Sequence, residues 1–311
     1  MSVIEKAAKR LEELRRAGFE APVEIEPSGI LGRSRNSGDV AVVLSSPQVA
    51  EPAAVADTSR HSKVPSSTAT FFELNLAKLA ADGFVTPGMP RSRIADEFRI
   101  VKRPLIANAS GKMASPIKNG NLIMVTSAVP GEGKTFSAVN LAMSIATELD
   151  QTVLLIDADV ARPSLPRTLG LPAGKGLLDA LENKSFDLGQ ALIRTNVEKL
   201  TVLPSGTQYA HATELLASDA MVKLLHEMAN RYQDRIIIFD SPPLLVTTEA
   251  RVLATHMGQI LFVVRAELTL QSEVKRALAT IETCPVKMIL LNQARTVAQG
   301  AYGYGYGYGY D

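Results

Sequence analysis

The chain has 311 residues, of which 46% are hydrophobic and 21% charged, and 33 Lys+Arg against 32 Asp+Glu leave a net charge of +1. That length accommodates one sizeable α/β domain plus extensions, and the near-neutral balance excludes a general nucleic-acid binder, which carries a strong basic excess. The lone Cys284 excludes an internal disulfide framework and any metal or iron–sulfur site built on several cysteines.

Residues 1–20 read as an amphipathic helix ending near Gly18. Ile4, Ala7, Ala8, Leu11 and Leu14 recur at helical spacing, and Lys6, Lys9, Arg10, Glu13 and Arg16 fill the other face. Such a helix can dock on protein or lie on a membrane surface, and Glu5, Glu12 and Glu13 dilute its basic side. Charges interrupt every apolar stretch here, so it is no signal peptide, and Ser2 breaks the myristoylation pattern. No stretch approaches the roughly 18–20 apolar residues of a membrane span. A cytoplasmic protein is expected. Residues 21–70 read as a flexible linker, broken by Pro22, Pro27, Pro47, Pro52 and Pro65, with one isolated apolar run, Val40–Leu44.

From Phe71 to residue 299 the chain reads as the main domain. FFELNLAKLAADG is helical in pattern, and RIADEFRIVKRPLIANA is a second helix, up to or around Pro104. Six apolar runs then read as strands: LIMVTSAV, TVLLID, LTVLPSG, IIIFDSPP, ILFVVRAE and VKMILLNQA. Helical stretches separate them, among them ELLASDAMVKLLHEMANRY and SEVKRALATIETC. Continuous apolar strands alternating with helices predict a doubly wound, mostly parallel sheet with helices on both faces, an α/β architecture of P-loop type. Residues 300–311 form a Tyr–Gly tail that holds Tyr302, Tyr304, Tyr306, Tyr308 and Tyr310, five of the chain's seven tyrosines. With every second residue Gly and no apolar partner, the tail is expected to be disordered and extended. Tyr209 and Tyr232 read as ordinary structural residues.

Four constellations carry chemistry. Ala128-Val-Pro130-Gly131-Glu132-Gly133-Lys134-Thr135-Phe136 follows a strand and opens a helix. Backbone N–H groups of such a loop cradle an anion, helped by the helix N-terminus, while a lysine reaches the outer phosphates and a hydroxyl ligands Mg²⁺. Ala128 stands where the usual pattern has Gly. The second strand ends in Asp157 and Asp159, followed by Arg162-Pro163. Ligands bind at the carboxyl ends of strands in open parallel sheets, which puts both acids beside the phosphates. There they can hold metal-bound water or accept a proton. Asp240 ends IIIFD and is the expected further partner of the Mg²⁺ shell. Asn292 ends the last strand and reads either as an adenine-binding amide or as a turn residue.

These residues resemble the bacterial tyrosine autokinases (BY-kinases) of exopolysaccharide systems. The resemblance rests on SAVPGEGKT, LLIDADVARP, LPSG…TELLAS, IIIFDSPP and the tyrosine tail, and covers the chain from about Asp96 to its end. With ADEFRIVKRPLIANA, the sequence looks most like the subgroup of exosortase/PEP-CTERM polysaccharide loci. The resemblance implies ATP and Mg²⁺ as cofactors and autophosphorylation of Tyr302, Tyr304, Tyr306, Tyr308 and Tyr310 by a neighbouring subunit. It assigns catalysis to Lys134, Asp157, Asp159 and Asp240. Nucleotide contacts fall to Pro130, Gly131, Glu132, Gly133, Lys134, Thr135, Phe136, Arg162 and Asn292, and the metal to Thr135, Asp159 and Asp240. Its implied partners are further copies in a ring-forming homo-oligomer, an activating membrane protein of the chain-length-determinant (polysaccharide co-polymerase) type and a tyrosine phosphatase, with no nucleic acid. A cytoplasmic protein recruited to the inner face of the plasma membrane follows.

The chain departs from the family pattern at Ala161, where Arg is frequent, and at Asp96, Arg99 and Lys102, aligned with the Glu-x-x-Arg-x-x-Arg of the oligomer-forming helix. Lysine lacks arginine's bidentate fork, which predicts a weaker ring contact. Two other functions fit much of the same pattern. A positioning or partition ATPase carries an extra loop lysine where this chain has Val129, and has no need of terminal tyrosines. A non-catalytic assembly module that binds nucleotide has no need of Asp157, Asp159 and Asp240 together.

Overall fold

The computed structural model describes residues 69–88, 92–111, 115–183, 185–231 and 235–294. All of them belong to one compact unit, Ser62–Asp311. The N-terminal helix 1–20, the linker as far as residue 68, Tyr232 and the tail with its five tyrosines lie outside the described residues.

In chain order the elements are β1 (Thr70–Phe72), α1 (Leu76–Ala81), α2 (Arg93–Ala109), β2 (Leu122–Ser127), α3 (Lys134–Ala146), β3 (Thr152–Asp157), α4 (Leu165–Leu169) and α5 (Leu177–Glu182). They continue with β4 (Ile193–Thr195), β5 (Leu200–Leu203), α6 (Ala212–Leu216), α7 (Asp219–Arg231), β6 (Arg235–Asp240), α8 (Glu249–Ala254), β7 (Gln259–Arg265), α9 (Gln271–Ala279) and β8 (Val286–Asn292). The strands form one eight-stranded sheet in the order β1-β4-β5-β3-β6-β2-β7-β8. Every neighbouring pair is parallel except β4–β5.

The central strands are apolar throughout because both faces are covered. All six residues of β2 are buried. Ile123 and Val125 pack toward α1–α4, with Leu105, Ala138, Leu141 and Leu165. Leu122 and Met124 pack the other way, toward α5–α9, with Leu177, Leu216, Leu225 and Leu253. Each buried Leu, Ile, Val or Met among them contributes about 1.5–3 kcal/mol by leaving water. The predicted doubly wound sheet is therefore what forms.

Local differences from the sequence reading have physical causes. Thr70–Phe72 is a strand, not the start of a helix, because its backbone pairs with β4 at the sheet edge. β4 itself has three residues, too few for periodicity to register. Helix α2 runs past Pro104 to Ala109. Leu105 beyond the proline is fully buried. The Gln259 amide donates to the Leu105 carbonyl at 3.0 Å and accepts from Asn108 at 2.9 Å, which holds the last turn. The long helix expected over ELLASDAMVKLLHEMANRY breaks at Ser218, whose hydroxyl donates to the Leu215 carbonyl and accepts from the Met221 N–H.

Candidate active site

The phosphate loop leaves β2 at Ser127 and enters α3 at Lys134. Gly131 and Gly133 adopt left-handed backbone, with φ of 83° and 93°. At Gly133 a Cβ would stand 2.0 Å from the Asn292 amide nitrogen, so only glycine fits. The loop is fastened from several sides. The Ser127 hydroxyl donates to the Val129 carbonyl at 2.8 Å. The Glu132 carboxylate accepts the Val129 N–H at 2.8 Å, and the Asn292 amide donates to the Glu132 carbonyl at 2.9 Å. Lys134, the first residue of α3, is buried.

Strand register assembles the acids. β6 lies between β2 and β3, with Asp240 opposite Val125 on one side and Asp157 on the other. Asp157 and Asp240 are wholly buried. Asp157 accepts one bond, from the Leu165 N–H at 3.1 Å, and its Oδ1 has no hydrogen-bond partner. Neither oxygen of Asp240 has one. The Thr135 hydroxyl bonds Ser164 Oγ at 2.7 Å and stands near enough to draw the Asp240 pKa down without a well-formed bond. Burial raises the pKa of Asp157, and the neighbouring Asp240 charge raises it further. Burial likewise raises Asp240, against the pull of Thr135 and Lys134. Asp159 lies just beyond the strand, half-buried. Burial lifts its pKa, the Lys134 ammonium opposes, and Glu249 adds repulsion.

Unpaired buried carboxylates are costly, so a cluster of them makes this a candidate site for a cation. The donors are all oxygen, which suits a small hard divalent ion. Among the described residues no group of three or more His, Cys, Asp or Glu is arranged to hold a metal alone. A cation held there would need water and phosphate oxygens to complete its shell.

The remaining expected residues fall into place unevenly. Pro130, Gly131 and Arg162 are exposed at the rim. The Arg162 N–H donates to the Asp159 carboxylate at 3.2 Å. Phe136 packs on Phe84 with ring centroids 5.1 Å apart, so its side chain serves the core. The Asn292 amide donates to Glu132 and accepts from the Gln293 N–H at 2.9 Å, which uses both its polar atoms within the protein. Val129, at the extra-lysine position, packs against the core. Sequence reading missed Ser164, Glu249 and Thr269. Ser164 follows Arg162-Pro163 directly and was accessible to inspection; Thr269 carries no local signal.

A phosphate loop between β2 and α3, flanked by carboxylates at the ends of β3 and β6, defines a nucleotide-binding P-loop protein. A family model described as an AAA domain matches residues 120–290. The tyrosine-protein kinase YwqD of Bacillus subtilis is 31% identical over 216 residues, 69% of this chain and 87% of that protein. The kinase domain of the Escherichia coli tyrosine kinase ETK superposes with a TM-score of 0.55 at 28% identity, over 75% of this chain and 98% of that one. The crystal structure of the chimerical protein CapA2B2 gives 0.56 at 27% identity, over 71% and 92%. The chain belongs to the bacterial tyrosine-protein kinase family.

Proposed function

We propose that this protein is an ATP-dependent protein-tyrosine kinase that phosphorylates Tyr302, Tyr304, Tyr306, Tyr308 and Tyr310 in trans, and thereby regulates exopolysaccharide chain length or export. The observation that carries the reading is the buried Asp157–Asp240 pair, three of whose four carboxylate oxygens have no hydrogen-bond partner, with the Lys134 charge acting on Asp240. A structural site would pair those oxygens; a phosphoryl-transfer site keeps them for a cation.

Lys134 and the loop N–H groups bind the β- and γ-phosphates and offset the charge that develops during transfer. Thr135, Asp159 and Asp240 are the residues that would hold Mg²⁺. Bound there, Mg²⁺ would neutralise phosphate charge. A bond forms from a tyrosine oxygen to the γ-phosphorus as the bond to the ADP oxygen breaks. The phenol proton passes to a carboxylate, which we assign to Asp157. Its raised pKa suits a proton acceptor near neutral pH. The same carboxylate is sealed under the turn that ends at Leu165, so the role requires that turn to move.

Each phosphate adds about −1.5 to −2 charge. Five would carry up to about −10, enough to expel the tail from an acidic site and loosen contact between subunits. The likeness to a chimerical protein supports a search for a second polypeptide, and we infer a membrane activator of the chain-length-determinant type with recruitment to the inner face of the plasma membrane. No helix among the described residues is long and apolar enough to cross a membrane.

Mass spectrometry after incubation with Mg·ATP tests the proposal tyrosine by tyrosine. Phosphate on the tail of wild type, and none on Lys134→Met, is expected. Equal phosphotyrosine in wild type and a tail-deleted chain refutes the tail assignment, and ATP turnover without phosphotyrosine points to the partition-type ATPase. If Asp159→Asn rather than Asp157→Asn removes the alkaline-rising limb of the pH–rate profile, the proton acceptor is reassigned.

A further inference from the structure

We propose that Glu132 is a positioning residue: its buried carboxylate locks the phosphate loop to the turn after β7, aiming the Gly133 N–H at the nucleotide phosphates. The inference rests on the ATP-site reading above and gives Glu132 a role other than touching nucleotide.

An acid in a phosphate-binding loop repels its ligand unless it is turned away and compensated. Glu132 is both. It is 1% exposed, although its neighbours Pro130 and Gly131 lie at the surface. Its Oε2 accepts the Val129 N–H at 2.8 Å, which closes the loop on itself. Its Oε1 accepts the Thr269 hydroxyl and, at 3.4 Å, the Arg265 N–H. The Thr269 hydroxyl in turn accepts the Arg265 N–H at 3.1 Å, so the turn from 265 to 269 closes around the carboxylate. Four donors serve this one residue, counting the Asn292 amide on its carbonyl.

The carbonyl contact sets the direction of the next N–H. In a planar trans peptide the C=O and the following N–H point opposite ways. With the Glu132 carbonyl drawn to Asn292 on β8, the Gly133 N–H faces away from β8. That is the side on which β6 and β3 present Asp240 and Asp157. The left-handed φ of Gly133 and the packing of Asn292 on its Cα complete the lock. Lys134 follows immediately. Releasing the carboxylate therefore loosens the Glu132–Gly133 peptide, whose N–H is one of the loop donors to the phosphates, through a contact with Thr269 137 residues away in sequence.

The test uses the full chain, with calorimetric titration of Mg·ADP, KM and kcat for ATP, and melting without nucleotide. Glu132→Gln keeps the shape but cannot accept from all three donors. A hydrogen bond to a charged group is worth about tenfold in an equilibrium or more, so Kd and KM for nucleotide should rise by about that factor. KM for a tail peptide should stay within about twofold of wild type. Thr269→Val should raise nucleotide Kd several-fold, Thr269→Ser should restore it, and the double variant Glu132→Gln/Thr269→Val should be no worse than Glu132→Gln alone. A folded Glu132→Gln protein with wild-type Kd overturns the proposal. So does a Thr269→Val effect that Thr269→Ser fails to rescue, or losses that multiply. If Glu132→Gln does not fold, the Thr269 pair decides alone. Wild type that fails to bind Mg·ADP overturns the ATP reading itself, and the proposal with it.

Discussion

Replacing Asp240 by Asn should make the nucleotide-free protein more stable and inactive. The carboxylate is fully buried, opposite Asp157, and neither of its oxygens has a partner. Its folded pKa is pushed up from the ordinary 3.8 to about 7, chiefly by burial. An acid with a raised folded pKa binds its proton more tightly in the folded state. Stability from the protonated form is then fully present below 3.8 and is lost as pH rises through the raised value. Desolvation shifts buried carboxylates by up to about 3–5 units, and each unit is about 1.4 kcal/mol. The penalty that Asn removes at pH 8 is thus of order 2–5 kcal/mol. At about 2–4 °C per kcal/mol for a domain of this size, the variant should melt roughly 4–20 °C above wild type at pH 8. The gap should narrow toward pH 5. Scanning calorimetry in chelator and without nucleotide measures it, and Mg·ATP should then raise the melting point of wild type more than that of the variant. Equal melting at pH 8, or a gap that is the same at pH 5, would falsify the account of Asp240 as an uncompensated buried charge.

Gly133→Ala places a methyl 2.0 Å from the Asn292 amide nitrogen at φ 93°, so Mg·ATP should no longer shift the melting point, a thermal-shift measurement. Lys102→Met keeps the buried stem but loses the bonds from Nζ to the Ser144 carbonyl at 2.5 Å and to Glu148 at 2.6 Å. Melting should fall by about 1–2 kcal/mol equivalent, and sedimentation should give wild-type oligomeric mass, since Lys102 faces its own chain. Asp179→Asn should remove stability at neutral pH but little at low pH. Burial alone would raise this acid, but hydrogen bonds from Thr207, Lys175 and Gly176 hold it well below its ordinary value. Its contribution is therefore present above 3.8 and lost as pH falls, which urea unfolding at pH 7 and pH 3 would measure.

The phosphate loop and the three acids were legible because each is written locally: an apolar run, then a charged or glycine-rich end at the carboxyl edge of a parallel strand. Their pairing was less so. That Asp157 faces Asp240 depends on β6 inserting between β2 and β3, an order that local sequence does not encode. Glu132 and Thr269 meet only because β7 lies beside β2. Lys102 is the instructive miss. Alignment with an oligomer-forming motif put it at a subunit contact, yet Phe98, Lys102 and Leu105 are the buried residues of α2. Their spacing of four and three is the apolar stripe itself, so helical period, read before motif, places Lys102 inward. Of the three aligned positions, Asp96 and Arg99, paired with each other at 2.6 Å, are the exposed ones.

Two buried aspartates separate structural from functional burial within this one chain. Asp179 receives Lys175 at 2.9 Å and Tyr209 at 3.1 Å on one oxygen, and the Gly176 and Thr207 N–H groups at 2.8 and 2.9 Å on the other. Every lone-pair direction is used, and the acid ties α5 to the loop after β5. Asp240 is no less buried and has neither oxygen satisfied. Stability alone would favour an amide or an apolar residue there. The protein instead tolerates a destabilising charge where β6 meets the phosphate loop, and it does so again one strand away at Asp157. Two incompletely paired acids in strand register form a site whose native stability a cation and phosphate would complete, so ligand binding and full folding of this end of the sheet are expected to be a single linked equilibrium.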